Sequence, residues 1–155
     1  MIVQTRSLKD TVVSLKDMFE KSFSQWSSLK APWIVGLDDQ WKFMCDAEKY
    51  LAITAAYAFW HLDFKKSWAR YPKRVEVSYE DVTKDTLGTV SEICSFFRIE
   101  KSAEEIQQAI ASVNASSGES TRLNIGRSGR GAELLSAEVQ AYIENIESIG
   151  SVSEV

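Results

Sequence analysis

The sequence predicts an α/β domain with predominantly helical content and a parallel sheet of two strands. Three observations carry this. "MIVQT" at 1–5 and "RVEVSY" at 74–79 are short β-branched runs, each followed by a helical pattern. Apolar residues recur at helical spacing over most of the remaining chain. Strands that alternate with helices pair in parallel through helical crossovers. Two strands are few for such a sheet, so the chain reads as part of an α/β sheet.

The elements follow in order. "MIVQT" reads as a buried strand. Ser7 and Asp10 form an S-x-x-D box that starts a helix over about 8–24, with Val12, Leu15, Phe19, Phe23 and Trp26 on one face. "SSLKAPWIVGLDD" holds Pro32 and Gly36 and reads as a loop. Residues 41–70 have no Gly or Pro and form one long helix or two consecutive ones, which Pro72 ends. Beyond the second strand a helix over about 86–98 carries Leu87, Val90, Ile93, Cys94 and Phe97 on one face. Ser102 and Glu105 form a full capping box for a helix with Ile106, Ile110 and Val113. A last helix starts near Ser136 with Val139, Ile143 and Ile146 inward. The organisation is a single domain over 1–150 and a frayed tail at 151–155.

Composition narrows the function classes. The 155 residues suffice for one domain with a core, and 45% apolar with 26% charged residues is ordinary for a globular chain. A net charge of -4 shows no general nucleic-acid footprint, so no nucleic-acid partner is expected. Lys9 and Asp10 interrupt the N-terminus before a secretory core develops. The most apolar window, 51–62, is too short for a span of roughly 20 residues. The expectation is a cytoplasmic protein with no membrane partner. Cys45 and Cys94 fit no metal spacing and read as buried free thiols. His61, the one histidine, reads as structural, and core packing is the reading for Trp26, Trp33 and Trp41.

Two places suit an anion. Ligands of open α/β sheets bind at the carboxyl ends of strands, and a helix N-terminus there favours phosphate. Arg6 lies at such a place, and its guanidinium can grip a phosphate through two parallel hydrogen bonds. Ser14 follows about two turns into the helix, roughly 10 Å along its axis. Taken alone, the pair reads rather as a surface arginine and a solvent-facing serine. The segment 114–131 holds four of the seven glycines, with Arg122, Arg127 and Arg130. It suits a flexible phosphate clamp around Gly118, Gly126, Gly129 and Gly131, or a solvated loop.

These stretches together resemble the PAPS-dependent sulfotransferases. "IVQTRSLKDTVVSL" is similar to the family's 3′-phosphate-binding segment, with Arg6, Lys9, Asp10 and Ser14 on the pattern and Ser7-Leu8 in place of the usual Asn/Asp-Pro. "VEVSYEDV" resembles the strand ending in Tyr-Glu-Asp whose tyrosine, here Tyr79, lies near the adenine. "TVSEICSFFRIE" resembles the helix that follows it. "NIGRSGRGAELLSAE" resembles the C-terminal Gly-x-Ser-Gly loop, with Asn124-Ile125 where Arg-Lys is usual.

The resemblance implies the C-terminal half of a P-loop-type parallel-sheet domain, lacking the N-terminal phosphate-loop segment. It implies PAPS (3′-phosphoadenosine 5′-phosphosulfate) as co-substrate, with no metal. Binding residues would be Arg6, Ser14, Tyr79, Arg122, Gly126, Arg127, Ser128 and Gly129. It assigns no catalytic residue, since His61 does not match the family base. The implied function is PAPS or PAP binding within a sulfotransferase acting on a hydroxyl or amine acceptor. The isolated chain would be incomplete, pairing with a missing N-terminal half or self-associating. The alternative is a non-catalytic helical interaction module derived from such a domain.

Overall fold

The computed structural model describes residues 1–26, 38–116 and 127–151. It divides the chain into two compact units. The first comprises Met1–Arg6 and Tyr71–Ser128, and the second Ser7–Arg70 and Gly129–Val155.

The first unit contains both strands. β1 (Ile2–Thr5) pairs in parallel with β2 (Val75–Ser78), with Ile2 opposite Val75 and Thr5 opposite Ser78. Both strands alternate in burial, so Val3, Val75 and Val77 are buried while Ile2 and Glu76 face out. The expected fully buried strand is therefore a one-sided one. A parallel sheet is normally covered on both faces. Tyr79, expected at the end of the second strand, instead starts α4 (Tyr79–Lys84). Ser78 caps that helix, accepting from the Asp81 N–H at 2.9 Å, and this stops the strand one residue early.

α5 (Thr86–Phe97) follows, capped by Asp85, which accepts from the Gly88 N–H at 2.8 Å. Leu87, Val90, Ile93 and Cys94 are only half-buried, Phe97 is exposed rather than inward, and Thr89 is its buried position. α6 (Ala103–Ser116) opens with the predicted capping box. The Ser102 N–H donates to Glu105 at 2.9 Å, and the Glu105 N–H donates to the Ser102 hydroxyl at 3.2 Å. Ile106 is buried, Ile110 is intermediate and Val113 is exposed. The inward face read from spacing is thus covered only at its first turn.

The second unit holds the larger core. α1 (Leu8–Trp26) contributes Leu8, Val12, Val13 and Phe19. Of the two readings for 41–70, the single long helix holds, α3 (Asp46–Ala69), preceded by the one-turn α2 (Asp38–Trp41), which shares only Trp41 with that span. The break is fixed by Cys45, whose N–H donates to Glu48 at 2.7 Å as the N-cap of α3. Cys45 is exposed and Cys94 half-buried, both free, so the reading of buried thiols is corrected. A polar capping position keeps Cys45 at the surface. Trp41 packs edge-on against Phe19 with ring centroids 6.0 Å apart, in line with its expected core role. Trp33 lies outside the described residues. α3 buries Tyr50, Ile53, Thr54, Ala58 and His61, a helical stripe. α7 (Arg130–Leu134) and α8 (Ala137–Ser151) close the core with Leu135, Val139 and Ile143, and Ile146 packs beside them, as its spacing predicted. Each large apolar side chain so buried contributes roughly 1.5–3 kcal/mol.

α7 is held to α1 by one carboxylate. Asp10, almost fully buried, accepts from the Gly129 N–H at 2.7 Å and the Gly131 N–H at 2.6 Å. Its role in the S-x-x-D box is correspondingly reduced. The Asp10 N–H lies 3.5 Å from the Ser7 hydroxyl, and both carboxylate oxygens are turned to residues more than a hundred positions away. Gly129 has φ 84°, a conformation open to glycine. At Gly131 a Cβ would lie 2.4 Å from the Lys9 Cβ and 2.7 Å from the Lys9 carbonyl carbon, so only hydrogen fits.

Two outcomes follow for stability. Gly131→Ala gains about 0.5–1 kcal/mol of helix propensity. The contact with backbone cannot be relieved by a rotamer change and costs about 1–3 kcal/mol, so the variant is destabilised. Asp10→Asn presents an amide N–H₂ to a buried donor and loses the charged acceptor, with an expected loss of about 1.5–3 kcal/mol. Urea denaturation of both variants checks this; wild-type midpoints would refute the clamp. His61 gives the pH dependence. Burial, with a smaller contribution from Lys65, lowers its pKa to about 4 from 6.5. A depressed histidine contributes stability that is present above pH 6.5 and is lost as pH falls toward 4. Thermal melts from pH 7.5 to 4.5 should show a shallower loss for His61→Gln than for wild type.

Candidate functional site

The two parallel strands end together, and each is followed by a residue singled out from the sequence. Thr5 and Ser78 are register partners, so Arg6 and Tyr79 both lie just past the carboxyl ends of the sheet. The Arg6 guanidinium carbon sits 4.2 Å from the centroid of the Tyr79 ring. Stacking of this kind attracts a cation to the ring face and fixes the plane of the guanidinium. Arg6 is half-buried, and its Nε is buried with no hydrogen-bond partner among the described residues. A buried donor left unmade costs about 1–3 kcal/mol, and an anion with several acceptor oxygens relieves it. A phosphate, which the resemblance leads one to expect here, carries such oxygens. Arg127 is exposed and Ser128 half-buried in the same unit.

In the second unit Ser14 is partly exposed on α1, one turn after Asp10 and three residues before Asp17. That spacing sets Asp10, Ser14 and Asp17 on one face of the helix. The same face receives the 129–131 turn. Its Gly129 and Gly131 N–H groups go to Asp10, and the Arg130 guanidinium donates to Asp17 at 2.6 Å. Arg130 is buried by this ion pair, which removes it from the set of clamp arginines read from the sequence. Its charge is matched locally by Asp17, and a matched charge has little left for a ligand. Lys9, also on the resemblance pattern, pairs with Glu144 at 2.5 Å. Gly118, Arg122 and Gly126 lie outside the described residues.

Asp10 is the residue whose second task, as a long-range acceptor, sequence reasoning missed. Its spacing after Ser7 matches a cap, and nothing local distinguishes that from a long-range acceptor. The available signal was the glycine pair two residues apart, Gly129 and Gly131, in a loop otherwise read as a clamp. His61 is buried against Tyr57, ring centroids 6.1 Å apart, and its depressed pKa keeps it neutral at pH 7. Among the described residues no group of three or more His, Cys, Asp or Glu is placed to hold a metal ion, and no helix is long and apolar enough to cross a membrane.

The comparisons with known proteins bear on the same stretches. No curated protein and no solved structure matches the chain. The family model of the sulfotransferase domain matches residues 1–125, which takes in β1, α1, β2 and the helices α4 to α6. With Arg6 and Tyr79 at paired strand ends inside that match, the chain belongs to the sulfotransferase domain family.

Proposed function

We propose that the chain binds PAPS or PAP and forms the nucleotide-holding, C-terminal portion of a P-loop-type sulfotransferase acting on a hydroxyl or amine acceptor. The observation that supports this most is the Arg6–Tyr79 stack, with its buried and unpartnered Arg6 Nε. PAPS supplies the sulfuryl group and the leaving bisphosphate. Arg6 holds the 3′-phosphate through its N–H fork, and the resemblance also assigns Ser14 to phosphate binding. Tyr79 backs the guanidinium and borders the adenine. Arg122, Arg127 and the Gly126–Gly129 turn, with Ser128, complete the hold. Anchoring a phosphate remote from sulfur provides binding energy that orients the reacting end.

This reading leaves the transfer step to groups beyond these. The sequence contains no Lys-x-Gly-Thr/Ser pattern, and His61 is buried with low proton affinity. β1 has β2 as its neighbour among the described residues, and an open strand edge recruits another strand. Pairing with a segment that carries the phosphate loop, or self-association through that edge, follows.

Calorimetric titration with adenosine 3′,5′-bisphosphate tests the reading. Arg6→Ala should weaken binding by about 2–3 kcal/mol and Ser14→Ala by less. Equal affinity across the three proteins removes Arg6 and Ser14 from the site. No binding by wild type favours the non-catalytic interaction module. Labelled-sulfate transfer from PAPS should be absent for this chain alone and appear when the phosphate-loop half is supplied.

A further inference from the structure

Among the described residues of the second unit, aromatic side chains near the C-terminal end of α3 stay exposed. Trp60 and Phe64 on α3 are 59% and 44% exposed, whereas Phe19 and Trp41 of the same unit are buried; Phe59, also exposed, lies about 100° round the helix from Trp60, between Lys66 and Arg70. Trp60, Phe64 and Trp68 are spaced four apart, so they form one stripe along the helix. The Phe64 and Trp68 rings meet edge-on with centroids 5.8 Å apart. Lys66 and Arg70 fall on the opposite side of the helix and Lys65 on its flank, all three exposed. None of the three forms an ion pair among the described residues. Asp63 is the one acid between 59 and 70, and residues 64–74, "FKKSWARYPKR", hold five bases and no acid in a chain of net charge -4.

We propose that the C-terminal half of α3 docks on the surface of an anionic membrane. An amphipathic helix with Trp and Phe on one side and Lys and Arg on the others lies in the plane of the interface, with its rings at headgroup depth. Lysine and arginine stems run along the apolar boundary and keep their charges in the headgroups. The expectation of no membrane partner weighed only spanning segments, and α3 lies on the surface rather than crossing it. Charge complementarity selects this occupant over a second copy of the chain. A two-fold contact through this face would set one basic flank against another. A convex helix face with three cations is also a poor match for a nucleic acid, which takes a basic groove or stripe.

Vesicle flotation tests this with the full chain. Binding should be seen with phosphatidylcholine–phosphatidylglycerol vesicles, fall with added salt, and be absent with phosphatidylcholine alone. Lys65→Gln with Lys66→Gln should lower the partition coefficient about 25-fold, given roughly fivefold per basic residue. Trp60→Ser with Phe64→Ser should lower it at least about 10-fold, and the exposed positions leave the thermal melt unchanged. Equal binding to neutral vesicles, or none to anionic ones, overturns the proposal. So does retention on RNA without flotation, or self-association that the aromatic variant abolishes in the absence of vesicles.

Discussion

The Asp10 carboxylate is the constraint on which the second unit depends. It joins α1 to the 129–131 turn by two hydrogen bonds across sequence separations of 119 and 121 residues. A buried charge is tolerable only when its lone pairs are engaged, and here they meet backbone donors at 2.6 and 2.7 Å. Gly131 makes the approach possible, since any side chain would enter the Lys9 backbone. Once α7 is seated, Leu135 and then Val139 and Ile143 of α8 fall into the core beside Val12 and Phe19. The Arg130–Asp17 pair and the Lys9–Glu144 pair lie on either side of the clamp in sequence and reinforce the same docking.

The first unit is organised by register instead. Parallel pairing of four residues per strand puts Arg6 and Tyr79 past the same end of the sheet. The ring fixes the guanidinium plane, and the guanidinium is left with a buried donor. Such an arrangement is unfavourable in the free protein and suits an anion, which ties the strand pairing to the chemistry of the site. Among the described residues of this unit the core is small: Val3, Val75, Val77, Thr89 and Ile106 are the buried positions. The half-covered faces of α5 and α6 agree with a sheet whose helices have more apolar surface than it can bury.

Much was legible from periodicity. The α1 and α8 stripes, the Ser102–Glu105 box and the start near Ser136 all appear, because each depends on contacts within one helical turn or on one buried face. The two strands and their parallel pairing were legible too, from β-branched runs separated by helices. Arg6 and Tyr79 were visible as residues at strand ends, and the resemblance to the sulfotransferases named them before their stacking was seen.

Tertiary structure decided what no local pattern encodes. Asp10 after Ser7 has the spacing of a cap, and only folding brings the Gly129 and Gly131 N–H groups to its oxygens. Arg130 looked like a free cation in a glycine loop until Asp17 met it. Phe64 and Trp60 have the spacing of core residues, and Val113 likewise, yet all three face outward. Hydrophobic spacing states which residues share a face of a helix. Whether another element covers that face depends on the rest of the fold, and a hydrogen-bonding group acquires its partner only when distant segments pack.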